Sequence, residues 1–94
     1  MNRIGHWIGG KVVLGTSGRA GVVFDPATGV QQAAVDLASV ADVDAAVAVA
    51  KAAFPAWRAT PPLKRARVMS QLKVLLEQHA EELCALITSE HGKV

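Results

Sequence analysis

Cys84 is the single thiol in the chain, and a cysteine that attacks a carbonyl needs a base or a positive charge beside it to hold the thiolate. Its neighbours Glu81, Glu82, Leu83, Leu86 and Ile87 are acids and apolar residues at helical spacing, so the thiol reads as core packing rather than as a nucleophile. His6, His79 and His91 lie far apart and share no ligand spacing; solvated or hydrogen-bonded roles are expected of them. One cysteine excludes an intramolecular disulfide, and without a Cys-His cluster there is no structural zinc site of the usual kind.

Two glycine patterns resemble phosphate cradles and fail as such. Gly5 to Lys11 has the spacing G-x-x-x-x-G-K, but Val12 follows where a metal-binding hydroxyl is required, and the segment neither follows a strand nor opens a helix. Gly15, Gly18 and Gly21 are three apart and lead into a strand, whereas the dinucleotide fingerprint needs G-x-G-x-x-G ahead of a helix. The basic residues Arg58, Lys64, Arg65, Arg67 and Lys73 have few aromatics among them and read as a solvated or salt-bridged helix face. No catalytic, cofactor-binding or metal residue is therefore assigned from the sequence.

The elements around these residues fall into two parts, strands and turns over 1–38 and helices over 39–94. His6-Trp7-Ile8, Gly9-Gly10 and Lys11-Val12-Val13 predict a two-residue hairpin, since paired glycines accept the positive φ of the primed turns. Residues 15 to 21 form a glycine-rich loop, Gly21 to Phe24 a strand, and Asp25 to Gly29 a turn. Val30 to Leu37 continues extended, with Ala33, Val35 and Leu37 on one face and Gln32, Ala34 and Asp36 on the other.

Ser39 and Asp42 spell a capping box, and Val40, Val43, Val47, Ala50 and Phe54 recur behind it at helical spacing. Pro55 is expected to end or kink this first helix at about residue 54, and Thr60 to cap a second helix over about 61–77, with Trp57 anchoring the corner against the core. Beyond this corner the basic residues come first, with Glu81 and Glu82 later; a break near Gln78-His79 puts those acids in the first turn of a third helix, over about 80–91. Val68, Met69, Leu72, Leu75 and Leu76 give the second helix its apolar stripe, Leu83, Cys84 and Ile87 the third, and Gly92 fits a C-terminal cap.

Composition limits what such a chain achieves alone. It is 51% hydrophobic but only 4% aromatic, so small residues supply most of the apolar area and packing inside something larger is favoured. A net charge of +2 implies neither a nucleic-acid nor a membrane partner. The first residues lack a signal-peptide core and no apolar run reaches membrane-spanning length; the expected location is cytoplasmic.

Several words, in matching order and separation, resemble the N-terminal portion of the aldehyde dehydrogenase superfamily: His6 to Gly10, Asp25-Pro26-Ala27-Thr28-Gly29, Asp42 to Val47, Ala53-Phe54-Pro55-Ala56-Trp57-Arg58, and Glu90-His91-Gly92-Lys93. Within it, Ser17-Gly18-Arg19, Arg58 to Pro62 and Ile87 to Val94 look most like the coenzyme A-acylating, methylmalonate-semialdehyde dehydrogenase branch. The resemblance implies an α+β piece of a Rossmann-like NAD-binding domain, from an enzyme that oxidises a semialdehyde with NAD and passes the acyl group from a cysteine thioester to coenzyme A. It also implies that residues 1–94 precede the nucleotide crevice and the nucleophile. The fragment is then inactive alone and binds neither cofactor, its partners being the rest of the parent chain and further copies in a homo-oligomer. Two rival readings are a non-acylating aldehyde dehydrogenase and a self-associating helical interaction module.

Overall fold

The computed structural model describes residues 2–94. Five short strands precede three helices: β1 (Asn2–Ile4), β2 (His6–Ile8), β3 (Lys11–Val13), β4 (Ala20–Phe24), β5 (Gln31–Asp36), α1 (Val40–Ala59), α2 (Pro62–Gln78) and α3 (Ala80–His91). The central β5 pairs in parallel with β1 and antiparallel with β4, while β2 and β3 form a separate hairpin. This is the α+β order, strands then helices, that the sequence predicts.

Local chemistry accounts for most boundaries. Gly9 and Gly10 turn the hairpin at φ of 63° and 79°, a region where other residues are strained. Between β4 and β5 the Asp25 carboxylate accepts from the amide of Ala27 at 2.9 Å, and the Gly29 amide donates to the Asp25 carbonyl at 2.7 Å. Helix α1 opens with the full capping box: Ser39 Oγ accepts from the Asp42 amide, and the Asp42 carboxylate accepts from the Ser39 amide. Gly92 closes α3 at φ 77° in the left-handed conformation.

The corner between α1 and α2 differs from expectation. Helix α1 runs through Pro55 to Ala59, five residues beyond the predicted end. Proline there removes one donor that would have met the Lys51 carbonyl, and the alanines on both sides, the best helix formers, carry the helix across the defect. What ends it is Pro61, which holds the preceding Thr60 extended at ψ 129°. Thr60 is accordingly the C-cap of α1, its hydroxyl donating to the Ala56 carbonyl at 2.8 Å, and not the N-cap of α2. Pro61 takes the α2 N-cap position without a side-chain cap, and Pro62 is the first helical residue.

Packing shows a second departure. Trp57 is 43% exposed and Cys84 is exposed, so neither is in a core, and the predicted stripes of α2 and α3 are exposed along their length. Ala33, at 5% exposure, is the one buried hydrophobic residue among those described. The physical reason is shape: the molecule is a plate 48 × 35 × 15 Å, barely more than one layer of secondary structure thick. Its radius of gyration of 17.0 Å compares with about 12 Å for a compact chain of this length. Its accessible surface of 7433 Å² exceeds by about 2,300 Å² the roughly 5,200 Å² expected of a folded monomer of its mass. The amphipathic faces foreseen in the sequence exist; among the described residues nothing covers them.

Candidate functional site

The chain's best-organised polar region is the glycine-rich loop after β3, held by two carboxylates. Asp36, at the end of β5, accepts from Arg3 Nε at 2.8 Å, from Arg3 Nη2 at 2.9 Å and from the Gly15 amide at 2.7 Å. Asp42, in the first turn of α1, accepts from the Thr16 amide at 3.0 Å, from the Thr16 hydroxyl at 2.8 Å and from the Ser39 amide at 2.9 Å. Each carboxylate is only 8% exposed. The bidentate Arg3 guanidinium, followed by the Gly15 amide, holds the Asp36 carboxyl below the ordinary carboxylate range. The Thr16 and Ser39 amides, with the Thr16 hydroxyl, hold Asp42 well below it.

This geometry decides what the two acids can do. A general base near neutral pH needs a raised pKa and a free lone pair facing a proton to be taken. Asp36 and Asp42 lack the raised pKa, and three hydrogen bonds take up most of the acceptor capacity of each. Their role is to fix Gly15 and Thr16 against β5 and α1.

His6 completes a grouping that superficially contains a triad. Its Nε2 lies 3.8 Å from Asp42 Oδ2, beyond hydrogen-bonding distance, and is buried without a partner. The nearby Thr16 hydroxyl donates to Asp42 rather than to the imidazole, so no nucleophile–base pair exists. A groove of about 380 Å³ beside this region is lined by Arg3, Gly15, Gly18, Arg19 and Asp36. Arg3 is spent on Asp36, and Arg19 donates to the Ala38 carbonyl at 3.0 Å.

The remaining sequence candidates stay apart. Cys84 borders a depression with Ile87, Thr88, Lys93 and Val94, in which Lys93 is the one charged side chain and no histidine or carboxylate is present. His79 Nδ1 is 3.1 Å from Glu82 Oε2 at the exposed start of α3, His91 ends the same helix, and no three metal-ligating side chains converge among the described residues. Of the basic series, Lys73 meets an acid, Glu77, at 3.9 Å on the exposed face of α2. Gly5 to Lys11 does follow a strand, β1, contrary to expectation, but it makes β2, the Gly9-Gly10 turn and the first residue of β3 and opens no helix, so it builds no phosphate loop. No helix among the described residues is long and apolar enough to cross a membrane.

Sequence reasoning misses the Arg3–Asp36 pair and the clamp of Thr16 by Asp42. A signal for the first is present: parallel pairing sets Arg3 opposite Ala34, on the face shared with Asp36, one diagonal step away. Without the strand order that diagonal is invisible. The capping role of Asp42 is legible locally; its second role depends on where the loop returns, 26 residues earlier in sequence.

The fold and this region define an α+β segment whose two buried carboxylates organise its glycine-rich loop. Residues 13–94 match the model of the aldehyde dehydrogenase family, and the chain belongs to that family. It is 47% identical over 89 residues, 95% of its length, to malonate-semialdehyde dehydrogenase 2 of Geobacillus thermodenitrificans, and 45% identical over 93 residues, 99% of its length, to the malonate-semialdehyde dehydrogenase of Pseudomonas aeruginosa. In each case it spans 18% of the relative. Among solved structures it superposes with a TM-score of 0.95, at 50% identity, on a Sinorhizobium meliloti protein provisionally described as a methylmalonate-semialdehyde dehydrogenase and complexed with NAD. It superposes with a TM-score of 0.92, at 54% identity, on the methylmalonate-semialdehyde dehydrogenase of Oceanimonas doudoroffii. Each superposition covers 97% of this chain and 18% of the other.

Proposed function

We propose that these residues form the N-terminal scaffold of a malonate- or methylmalonate-semialdehyde dehydrogenase, a cytoplasmic, homo-oligomeric enzyme that oxidises a semialdehyde with NAD and yields an acyl-coenzyme A. The observation that carries the reading is the plate itself. Among its described residues it buries one apolar side chain, yet it superposes at a TM-score of 0.95 on 18% of a much longer chain, which supports reading it as a layer packed within a larger body. The resemblance of Ser17-Gly18-Arg19 and of Ile87 to Val94 to the acylating branch supports the choice of branch.

The glycine-rich loop does not fit the pyrophosphate of NAD. A dinucleotide cradle needs free backbone amides at the start of a helix, but the Gly15 and Thr16 amides are committed to Asp36 and Asp42, and their loop leads into a strand. In this reading both cofactors and the nucleophilic thiol belong to the rest of the enzyme. The contribution made here is rigidity, two buried carboxylates locking the first loop to the sheet and to the start of α1.

A graft tests the proposal: the aligned 93 residues of the Pseudomonas aeruginosa enzyme are replaced by this chain, and NADH formation is followed with malonate semialdehyde and coenzyme A. The graft should be folded and active, and the 94-residue chain alone should form no NADH. A well-folded but inactive graft, or turnover by the isolated chain, contradicts it.

A further inference from the structure

One face of the three-stranded sheet carries a charged groove. Parallel pairing sets Arg3 of β1 opposite Ala34 of β5, and antiparallel pairing sets Asp36 of β5 opposite Ala20 of β4, so these four residues share that face. With Arg19 and the loop glycines they line the groove of about 380 Å³. Its uncharged wall is small: Ala20 and Ala34 present only methyl groups, and a Cβ added to Gly18 would meet nothing within 4 Å. That leaves open space around the charged groups.

Charge and donor geometry decide what fits there. The ionised groups in the wall are two cations, Arg3 and Arg19, against one carboxylate, Asp36, which is 8% exposed and turned onto Arg3 and the Gly15 amide. The Nε and Nη2 edge of Arg3 is spent on Asp36, with Nη2 also donating to the Gly15 carbonyl at 3.4 Å, and this fixes the guanidinium in place. Its Nη1 hydrogens meet no acceptor among the described residues. Arg19 is fixed by one bond from Nη2 to the Ala38 carbonyl, and its Nε and Nη1 hydrogens likewise meet no acceptor among the described residues. Two guanidiniums anchored in advance, each with unused donors, form a receptor for an anion at reduced ordering cost.

We propose that this groove binds a phosphate group, as the free ion or a monoester, through Arg3 Nη1 and the Nε and Nη1 edge of Arg19. A carboxylate offers its two oxygens to a single guanidinium fork, whereas a phosphate carries three terminal oxygens and about two negative charges at neutral pH, enough to serve guanidiniums from two separate elements. The amides of Gly15 and Thr16 take no part, being held by Asp36 and Asp42. Recognition is therefore by the two arginine side chains, unlike that of a helix-opening phosphate loop.

The test titrates the graft with sodium phosphate against sodium chloride at matched ionic strength and follows amide hydrogen exchange over residues 15–20. Phosphate should slow exchange in that segment and chloride should not. Arg19→Gln removes a charged donor edge and should raise the half-saturating phosphate concentration about tenfold, while Arg19→Lys, which keeps the charge but not the fork, should raise it about threefold. Ala20→Glu sets a carboxylate in the groove from an exposed position and should abolish the response; Ala27→Glu, the same charge change on the exposed β4–β5 turn, should shift it less than about twofold. Methyl phosphate separates the two sources: slowing by both ligands supports a site that admits a monoester, and slowing by inorganic phosphate alone supports one for the free ion. Equal slowing by chloride or by the dicarboxylate malonate, no response over residues 15–20, or an unchanged response in both Arg19→Gln and Ala20→Glu overturns the assignment. Turnover is not the readout, so an inactive graft whose loop still responds to phosphate counts against the enzymatic reading alone.

Discussion

Replacing Gly92 with alanine tests how α3 is anchored to the strands. Gly92 ends α3 at φ 77°, where an L side chain costs about 1 kcal/mol. An added Cβ would also lie 3.1 Å from Pro26 Cγ and 3.6 Å from Pro26 Cβ, on the turn between β4 and β5, tight enough that the contact adds about 1 kcal/mol more. The sum, about 2 kcal/mol, falls on a junction otherwise fastened by Gln32, whose amide donates to the Ser89 carbonyl and accepts from the Ser89 hydroxyl, both at 2.9 Å. In the graft, amide hydrogen exchange over residues 83–94 should therefore accelerate about 30-fold. Gly18→Ala supplies the control: its φ is 73° but no atom lies within 4 Å of the added Cβ, so about fivefold faster exchange of its own loop is expected. Pro26→Ala should bring Gly92→Ala down to that lower figure. If Gly92→Ala costs no more than Gly18→Ala whether or not Pro26 is present, α3 does not rest on the Pro26 turn and the reasoning fails.

Three further outcomes are expected of the same structure. Ser39→Ala removes the oxygen that accepts from the Asp42 amide at 3.0 Å and should destabilise the start of α1 by about 1 kcal/mol, seen as faster exchange of its first-turn amides. Asp36 and Asp42 are held below the ordinary carboxylate range when folded, so their contribution is full above the unfolded pKa of about 4 and is lost as pH falls through the folded values. The difference in thermal midpoint between the graft and its Asp36→Asn or Asp42→Asn variants should thus be flat from pH 7 to about 5 and shrink only in stronger acid; shrinkage between pH 7 and 5 would contradict it. The isolated chain, with its apolar faces uncovered, should sediment above its 9.8 kDa monomer mass, and a compact monomer would refute that expectation.

What the sequence discloses is local chemistry. The hairpin over Gly9-Gly10, the capping box of Ser39 and Asp42, the break at His79 and the Gly92 cap all arise from residues within a few positions of each other, and all are found in the structure. Pro55 misleads because its local penalty is outweighed by the alanines that carry α1 past it, and Thr60 because the stronger constraint comes from Pro61 after it. Helical spacing alone suggests a core position for Trp57 and Cys84. The spacing is real, but it specifies a face and not what covers the face, and here nothing among the described residues covers it. The Arg3–Asp36 and Thr16–Asp42 contacts join residues 33 and 26 apart, and only the pairing of β1 with β5 brings the first of them together.

The central claim, that this plate is a structural layer of a semialdehyde dehydrogenase whose chemistry lies elsewhere in the polypeptide, meets its most direct test in the turnover of the graft. With malonate semialdehyde, NAD and coenzyme A, the Pseudomonas aeruginosa enzyme carrying these residues should form NADH and acyl-coenzyme A at a rate within tenfold of its parent. A folded graft that forms neither product would contradict it.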